Sequence, residues 1–480
     1  MIRRTETSPL LRVWSDEQCE KEWQAILKVL SETGCRVKSR AARELLVKNG
    51  CAADGDLVKI PASLMEAAVE SAPKSITLYN RRGEEAMVLD GEHLCFGPPI
   101  STVFIRDPFT GERRRGVRAD ARNAGLICDA LPNVDWASAM CGISDGVSGL
   151  DSVYEVYELL QATEKPVMYW AGTMQNLKTE FEMLELASGG AEALASKPSA
   201  ICLMCPMEPL THNEDGMEQI MYLAEKNAVP VYIAGCSLGC TVPATAAGCM
   251  AVGVADTLVG LLVSQLTRKG APFILSSFCD NMDMRSMTIQ RSHPEMLVTN
   301  SAVCSVLRYL GVPFCVNLGD TDSGIFDEVM VFDAAMALYT GALCGAPMIM
   351  SMGGCESCNM TDYIGTVCGS DMVEYIRHVI GGAEVNEETL ALEDIDETGP
   401  GGNFIMTEST LEFCHTCWKP GLMEARTLEQ FRASGDERAE DRYRRRIREI
   451  IEQGPQHPLD AEIKEKLDAL LAAAEKEAQA

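Results

Sequence analysis

A small set of acidic, aromatic and basic residues stands within or just after short apolar runs of this sequence. The acids are Asp280, Asp320, Asp322 and Glu356, and with them occur Tyr169, Trp170, Phe278 and Arg285. Carboxylates attract positive charge, and an aromatic face binds a cation that has no hydrogen to donate. The set therefore predicts a site for such a cation.

Glycine is frequent at the same positions, at Gly142, Gly172, Gly235, Gly319, Gly353 and Gly354. A residue without a Cβ lets the backbone approach a large flat ligand closely. Lysine and histidine are scarce there, which argues against Schiff-base chemistry and phosphoryl transfer.

Two Cys-x-x-Cys pairs, Cys355/Cys358 and Cys414/Cys417, suggest a metal site as an alternative. Four thiolates in two such pairs are a usual zinc site. The pairs are far apart in a chain that has 20 cysteines, so chance pairs are expected, and we predict no metal ligand. His415 between the second pair is predicted to be an ordinary hydrogen-bonded histidine.

The elements that must position these residues are eight apolar runs separated by helical patterns. The runs are Ile100–Ile105, Val134–Cys141, Val167–Ala171, Ala200–Cys205, Val231–Ala234, Phe273–Ser276, Phe314–Asn317 and Met348–Ser351. Several follow a proline, which tolerates the first position of a strand. Continuous apolar runs are typical of parallel strands buried on both faces. Eight such units predict an α/β fold, a (β/α)₈ TIM barrel with its active site at the carboxyl ends of the strands.

The remaining segments flank this barrel. Residues 1–94 are predicted to form a cap of helices and a hairpin, residues 95–402 the barrel, and residues 403–480 a C-terminal helical extension. In the cap, Ser15 should begin a helix that runs to Leu30. The C-terminal helices are expected to cover the barrel, to contact another subunit of a homo-oligomer, or to form a solvated helical tail.

Composition narrows the classes of function. The net charge of −28 repels nucleic acid and suits a cationic ligand. The first 18 residues have no apolar core of a signal peptide, so the cysteines are expected to be reduced thiols in a cytoplasm. The apolar stretch from Gly248 to Leu266 contains Asp256 and Gln265, and it is predicted to be a packed internal helix rather than a membrane span.

Several short motifs together resemble the trimethylamine methyltransferase family, in its branch without pyrrolysine. They are Asp107-Pro-Phe-Thr-Gly-Glu-Arg113, Asp120 and Asn123 before Ala130-Leu-Pro-Asn133, Lys165-Pro166, Gly239-Cys-Thr-Val-Pro-Ala-Thr-Ala-Ala-Gly248, Asp283-Met-Arg285, Pro294-Glu295, Gly399-Pro-Gly-Gly402 and Thr407-Glu408. The resemblance covers roughly residues 15–465. The chain departs from the family at Met207-Glu208-Pro209, where a serine usually precedes Pro-Leu.

The resemblance implies a barrel enzyme that transfers a methyl group to the Co(I) corrinoid of a separate carrier protein. The chain has no Asp-x-His-x-x-Gly cobalt-ligand motif, which agrees with a separate carrier. The six glycines then become candidates to contact the corrinoid. The pyrrolysine position falls at or beside Gly324, so Asp322, Gly324 and Glu356 are the predicted catalytic set. Tyr169, Trp170, Phe278, Asp280, Arg285 and Asp320 are the predicted substrate-binding set.

Relatives without pyrrolysine act on quaternary amines such as glycine betaine, proline betaine or carnitine, and the same donor class is expected here. A quaternary ammonium leaves as a neutral tertiary amine, so neither a proton donor nor a metal is required. Two alternatives remain. One is a zinc-dependent barrel methyltransferase for a thiol or alcohol donor. The other is a non-catalytic binding protein for cationic osmolytes.

Overall fold

The computed structural model describes residues 1–5 and 8–479. Its central element is a curled sheet of parallel strands. These strands are His93–Phe96, Val167–Tyr169, Ala200–Met204, Val229–Leu238, Ile274–Asp283, Phe314–Asn317 and Met348–Met350. The last strand pairs in parallel with the first, with Met348 opposite Cys95. The strands that come first and last along the chain are therefore neighbours in the sheet, and the ladder is interrupted between His93–Phe96 and Val167–Tyr169.

An irregular segment lies between the first strand and Val167–Tyr169. The Asp135 N–H donates to the Phe96 carbonyl at 2.8 Å, and the Met168 N–H donates to the Ala137 carbonyl at 2.7 Å. The expected strand Val134–Cys141 runs here, but only two isolated bridges form, between Ala137 and Val167 and between Cys141 and Thr102. The Asp135 carboxylate accepts the Phe96 N–H at 2.8 Å, so a side chain replaces the backbone acceptor that a regular ladder would use.

The predicted first strand, Ile100–Ile105, is wrong. The strand His93–Phe96 occupies the first position of the sheet instead. The predicted boundary between the N-terminal cap and the barrel, between residues 94 and 95, falls inside this strand. After Gly97 two prolines remove the N–H groups that a sheet needs. The chain beyond them forms Phe104–Arg106, which pairs with Met360–Asp362. A small separate sheet results, made of Phe104–Arg106, Arg113–Arg114, Gly354–Cys355 and Met360–Asp362.

The two faces of the curled sheet have different neighbours. Its inner face forms an apolar cluster that includes Cys95, Met168, Ile201, Val231, Ile274, Cys315 and Met348. The hairpin Ile76–Tyr79 and Glu85–Leu89 packs into this cluster and covers the amino end of the sheet. The outer face packs against helices. At the carboxyl end, where the predicted site residues lie, the strands continue into loops.

The N-terminal region has the predicted helices. They are α1 (Asp16–Lys28), α2 (Arg40–Lys48) and α3 (Ala62–Ser71). The Ser15 hydroxyl accepts the Gln18 N–H at 3.3 Å, and the Gln18 side chain accepts the Ser15 N–H at 2.9 Å. This reciprocal cap fixes the start of α1. A π-helical turn, Val29–Thr33, follows and ends at Gly34.

Nine further helices surround the curled sheet. They are α4 (Arg118–Ala130), α5 (Asp151–Ala162), α6 (Met174–Ala187), α7 (Ala191–Ser196), α8 (Glu214–Glu225), α9 (Ala246–Thr267), α10 (Pro294–Leu310), α11 (Glu328–Leu343) and α12 (Tyr363–Ile380). Within residues 1–5 and 8–479, α9 alone is long and apolar enough to cross a membrane, and 72% of its apolar window is buried in the protein. Burial of this kind is typical of a core helix, as predicted.

The C-terminal region divides into two parts. Its helices are α13 (Glu387–Leu390), α14 (Leu392–Thr398), α15 (Glu408–Thr416), α16 (Leu428–Ala433), α17 (Ala439–Gln453) and α18 (Ala461–Ala478). Helix α17 packs on α12 and α4, and α18 packs on α5 and α6. In the described chain, α13 to α16 contain no buried residue.

The cap of α1 should contribute to global stability, because α1 packs on α9 and α10. We expect Ser15→Ala to lower the free energy of unfolding by about 1 kcal/mol. Thr427→Ala removes the same kind of reciprocal cap from α16, which buries nothing, and should leave the main transition unchanged. Urea denaturation of both variants provides the test. Equal losses of unfolding free energy in the two variants would show that the contribution of a cap does not depend on the packing of its helix.

Candidate active site

The carboxyl ends of the parallel strands meet at one end of the sheet, here called the mouth. The strand Ile274–Asp283 is longer than most of its neighbours and continues into a hairpin with Thr288–Gln290. Asn281 lies opposite Gln290 in this hairpin. The returning chain therefore brings Arg291 back beside Asp280.

Arg291 lies among three acids, and we call Asp280, Arg291, Asp320 and Asp322 the acid–arginine cluster. Arg291 Nη1 donates to Asp320 Oδ2 at 2.7 Å, and its Nε lies 3.2 Å from Asp280 Oδ1. The Asp322 carboxylate accepts the backbone N–H of Arg291 at 2.8 Å and that of Ser292 at 3.0 Å. One guanidinium thus holds the ends of two strands together.

The cluster contains three carboxyl groups and one guanidinium group. Burial raises the pKa of Asp280 to about 7 even though Arg291 lowers it, and burial also raises the pKa of Asp320. Asp320 Oδ1 is buried and has no hydrogen-bond partner among the described residues. The Phe278 ring centroid lies 4.9 Å from the Arg291 guanidinium carbon. An aromatic face and an unused carboxylate oxygen therefore lie close together at the mouth.

Gly324 lies against Glu356. A Cβ built at Gly324 would come within 3.2 Å of both Cγ and Oε1 of Glu356. Arg113 Nε donates to Glu356 Oε2 at 2.8 Å, and the Arg113 guanidinium stacks on the Phe104 ring at 3.5 Å. The space beside Gly324 is therefore occupied by a carboxylate whose position is fixed.

The loop that carries Glu356 has an unusual backbone. Glu356, Ser357 and Cys358 have φ values of 49, 55 and 63° in succession. Left-handed conformations cost free energy in residues other than glycine, and they persist where contacts impose them. The contacts are present: the Ser357 hydroxyl donates to Asp322 at 2.7 Å, and the Glu356 N–H donates to the Ser323 carbonyl at 3.1 Å. The loop after Phe314–Asn317 and the loop that carries Glu356 are therefore locked to each other.

On another side of the mouth, Trp170 borders a cavity of about 420 Å³. The cavity is also lined by Ile100, Ser101, Gly172, Leu203 and Cys205. Trp170 Nε1 donates to Glu155 Oε2 at 3.2 Å, and the Ser101 hydroxyl donates to the same oxygen at 2.6 Å. Burial raises the pKa of Glu155 to about 8. A carboxyl group that retains its proton at neutral pH fixes the indole.

Tyr169 and Arg285 are not brought into this arrangement. Tyr169 is buried in the outer core with Phe181 and Leu184, because successive strand residues face opposite sides of the sheet. Arg285 is exposed at the hairpin tip, where its N–H donates to Asp283 at 2.9 Å. Trp170, Phe278, Asp280 and Asp320 all lie at the mouth.

The six glycines fall into two groups. Gly172 is exposed, Gly142 and Gly235 are half-buried, and a Cβ at Gly142 would meet nothing closer than 3.8 Å. Gly319, Gly353 and Gly354 are buried. A Cβ at Gly319 would lie 2.8 Å from the Met350 carbonyl oxygen, and one at Gly353 would lie 2.1 Å from Thr366 Oγ1. The second group serves close packing between elements.

Three residues at the mouth were not among the predicted site residues: Arg291, Glu155 and Glu208. Glu208 Oε1 accepts the Gly235 N–H at 2.7 Å, and burial raises the pKa of Glu208. Glu208 could have been found, because it directly follows a predicted strand. Arg291 depends on the hairpin register and Glu155 on the packing of α5, and neither leaves a signal in the sequence.

All 20 cysteines are free thiols, and 15 of them are buried. Within residues 1–5 and 8–479, no group of three or more His, Cys, Asp or Glu side chains could hold a metal ion. The zinc-dependent alternative therefore has no supporting donor set in the described chain.

Comparison with known sequences decides the family. The model of a family described as trimethylamine methyltransferase (MTTB) matches residues 2–479. The chain belongs to this family. It is therefore a methyltransferase of the methylamine type, as the motifs predicted.

Similar members of the trimethylamine methyltransferase family cover most of the chain. The trimethylamine methyltransferase MttB of Desulfitobacterium hafniense is 29% identical over 422 residues, 88% of this chain and 85% of that protein. A glycine betaine methyltransferase of the same species is 25% identical over 426 residues, 88% and 89% of the two chains. MttB1 of Methanosarcina mazei is 24% identical over 430 residues, 88% and 86% of the two chains.

The fold is shared with a solved structure. The monomethylamine methyltransferase MtmB of Methanosarcina barkeri superposes with a TM-score of 0.52 at 11% identity, over 93% of this chain and 89% of that one. Its hydroxylamine complex gives a TM-score of 0.53 at 12% identity, over the same shares of the two chains. At such low identity the likeness shows the fold alone.

The two groups of glycines should respond differently to a methyl group. Gly319→Ala should lower the free energy of unfolding by about 1–3 kcal/mol, because the new Cβ meets backbone atoms that cannot move aside. Gly142→Ala is the matched control and should change it by less than about 0.5 kcal/mol. Urea denaturation measures both. A well-tolerated Gly319→Ala would contradict the packing role.

Glu155 should make the protein less stable as pH rises. Its pKa is about 8 in the folded chain against an ordinary 4.5, so between these values the unfolded chain ionises while the folded chain stays protonated. Its contribution is complete below about pH 4.5 and is lost as pH rises to about 8. We expect Glu155→Gln to reduce the fall in stability by up to about 1.4 kcal/mol per pH unit.

The measurement is urea denaturation of wild type and Glu155→Gln at several pH values. Glu182 on α6 is exposed, and Glu182→Gln should leave the wild-type slope unchanged, because its carboxyl group stays in water. Identical slopes for wild type and Glu155→Gln would show that Glu155 is ionised in the folded protein.

Proposed function

We propose that this protein is a complete (β/α)₈-barrel enzyme of the cytoplasm. It removes a methyl group from a quaternary amine of the betaine or carnitine class and transfers it to the Co(I) corrinoid of a separate carrier protein. The hydrogen bonds from Asp135 and Met168 across the irregular segment support the closed barrel. Membership in the family and the glycine betaine methyltransferase among its relatives support the reaction class.

The observation that carries the proposal is the acid–arginine cluster beside Phe278. It has three carboxyl groups for one guanidinium group, and Asp320 retains an oxygen without a partner among the described residues. A quaternary ammonium has no N–H to donate, so it is recognised by carboxylates at a distance and by aromatic faces. Trp170 and Phe278 offer the faces, and Asp280 and Asp320 offer the charge.

The chemistry requires little from the chain beyond binding and orientation. When the carrier is docked, its corrinoid supplies a strongly nucleophilic cobalt. A quaternary ammonium departs as a neutral tertiary amine, so the chain has no proton to deliver. The residues of the mouth hold the methyl group in line and exclude water. The mouth has few lysine and histidine residues, which agrees with a reaction in which the chain delivers no proton.

Asp322, Gly324 and Glu356 are the proposed catalytic set. Gly324 has no side chain, which leaves Glu356 beside the reacting centre, held by Arg113. Its carboxylate would stabilise the positive charge of the bound ammonium. Asp322 holds the turn at Arg291 and the loop at Ser357 in fixed positions.

The carrier is proposed to dock over the mouth. The glycines that can face a large flat cofactor there are Gly142, Gly172 and Gly235, because they are exposed or half-buried. The sequence reasoning also named Gly319, Gly353 and Gly354 for this contact. A Cβ at any of these three positions would come close to other protein atoms, which indicates close packing. These glycines would therefore support the mouth from beneath and would not contact the corrinoid.

A betaine or carnitine also carries a carboxylate. Arg291 already pairs with Asp280 and Asp320, so it is not free to receive another anion. Arg285 at the exposed hairpin tip remains the candidate for this contact. Tyr169, which packs behind the sheet, would act only by supporting the strand that carries Trp170.

The test is the initial rate of methylation of Co(I) cobalamin with trimethylamine, glycine betaine, proline betaine and carnitine. We expect at least one quaternary amine to react faster than trimethylamine. Asp320→Asn should weaken binding of that substrate by about 1–2 kcal/mol, because it removes charge next to the ammonium. Asp145→Asn is the control, since Asp145 is an exposed acid that receives the Arg118 N–H at 2.8 Å.

Faster turnover of trimethylamine than of every quaternary amine would refute the substrate class. Binding of a quaternary amine without any methylation of Co(I) would favour the osmolyte-binding alternative. Equal effects of Asp320→Asn and Asp145→Asn on KM would show that the acid–arginine cluster has a structural role only.

A further inference from the structure

Residues 383–413, here called the arm, expose an unusual amount of apolar surface. They include α13, α14 and most of α15, in which the described chain has no buried residue. Their exposed large side chains are Val385, Leu390, Leu392, Ile395, Phe404, Ile405, Met406, Leu411 and Phe413. Met406 is 92% exposed and Val385 is 81% exposed. A contiguous apolar surface of this kind marks a site of protein association.

A second apolar surface without a partner lies on the body of the same chain. A groove of about 750 Å³ runs between α11 and α12 and is closed by residues 130–133 and 418–423. Its lining includes Met336, Tyr339, Tyr375, Ile376 and Trp418. It continues into an exposed stripe on α11, formed by Val329, Phe332 and Met336. These positions are three and four residues apart and so share one face of the helix.

The charges of the two surfaces are complementary. The arm contains nine acidic residues and no lysine or arginine. The groove is bordered by the arginine-rich helix α17, whose Arg446 contributes to the lining, as does Lys419. Asp371 and Glu374 also line it, but Asp371 accepts the Met423 N–H at 3.0 Å and Glu374 pairs with Arg377 at 3.4 Å. The acids of the groove are therefore engaged within the chain, and so is Arg446, which pairs with Glu449 at 3.6 Å. Lys419 is the lining cation that has no ion pair among the described residues.

We propose that the arm of one copy lies in the α11/α12 groove of a second copy, and that the exchange is reciprocal. Each chain has one arm and one groove, and a twofold dimer pairs both at once. Pairing of arm with arm is disfavoured because it would bring two strongly acidic segments together. A short amphipathic helix such as α15 in an apolar groove is a common mode of recognition.

The position of the arm supports a second copy as its partner. Helix α12 begins just after Met360–Asp362 beside the mouth and has 18 residues, so it is about 27 Å long. The arm leaves the body after its far end, at Ile380. A stable interface of standard size buries about 800 Å² per partner. The exposed large side chains of the two arms are the surface available for it.

Sedimentation equilibrium of the full chain tests the exchange. Wild type should be dimeric at low micromolar concentration. The groove variant Phe332→Glu/Met336→Glu and the arm variant Leu411→Glu/Phe413→Glu should each weaken dimerisation by about 100-fold, since buried apolar anchors carry most of the binding energy. Val47→Glu replaces an exposed apolar residue on α2 and should have no effect. Far-UV circular dichroism confirms that each variant is folded.

Mixing the two variants provides the sharper measurement. The groove variant has an intact arm and the arm variant has an intact groove, so the mixture should form a heterodimer through one restored contact. Neither variant alone should dimerise at that concentration. A monomeric wild type, an unaffected arm variant or a mixture that stays monomeric would overturn the proposal.

Discussion

Two carboxylates can be buried side by side at the end of a sheet only if a positive charge lies between them. Arg291 provides that charge for Asp280 and Asp320, and it connects the ends of two neighbouring strands. Removing Arg291 would leave Asp280 and Asp320 buried without a compensating charge, which is strongly destabilising. The hairpin that returns Arg291 to this position is therefore a structural requirement of the mouth.

Other features of the mouth follow from that cluster. Asp322 extends it by accepting the backbone N–H of Arg291 and the hydroxyl of Ser357. Through Ser357 the cluster holds the left-handed backbone of residues 356–358 in place. The cluster also keeps excess negative charge in a partly desolvated site, where electrostatic interactions are stronger than in water. A cationic ligand suits such a field, whereas an anion would need a separate positive group.

Much of this arrangement could be predicted, and the exceptions have physical causes. The helix from Ser15 and the strand after Pro313 follow local rules of capping and proline placement. The first strand was predicted at Ile100–Ile105 but lies at His93–Phe96. Apolar character alone does not show that the strand ends before Gly97. Arg291 was missed because hairpin register is set by cross-strand pairing. Glycine roles depend on which atoms approach from elsewhere in the chain, as Gly319 shows.

The pairing of Gly324 with Glu356 constrains how the site can vary. A Cβ at position 324 would lie 3.2 Å from Cγ and Oε1 of Glu356, so a side chain there would require the Glu356 side chain to shift. Glu356 is held by Arg113, which stacks on Phe104, and by a loop with three left-handed residues. Displacing it would break both restraints. The side chain of Glu356 therefore limits what position 324 can carry, and under the proposed function it would face the positive charge of the donor.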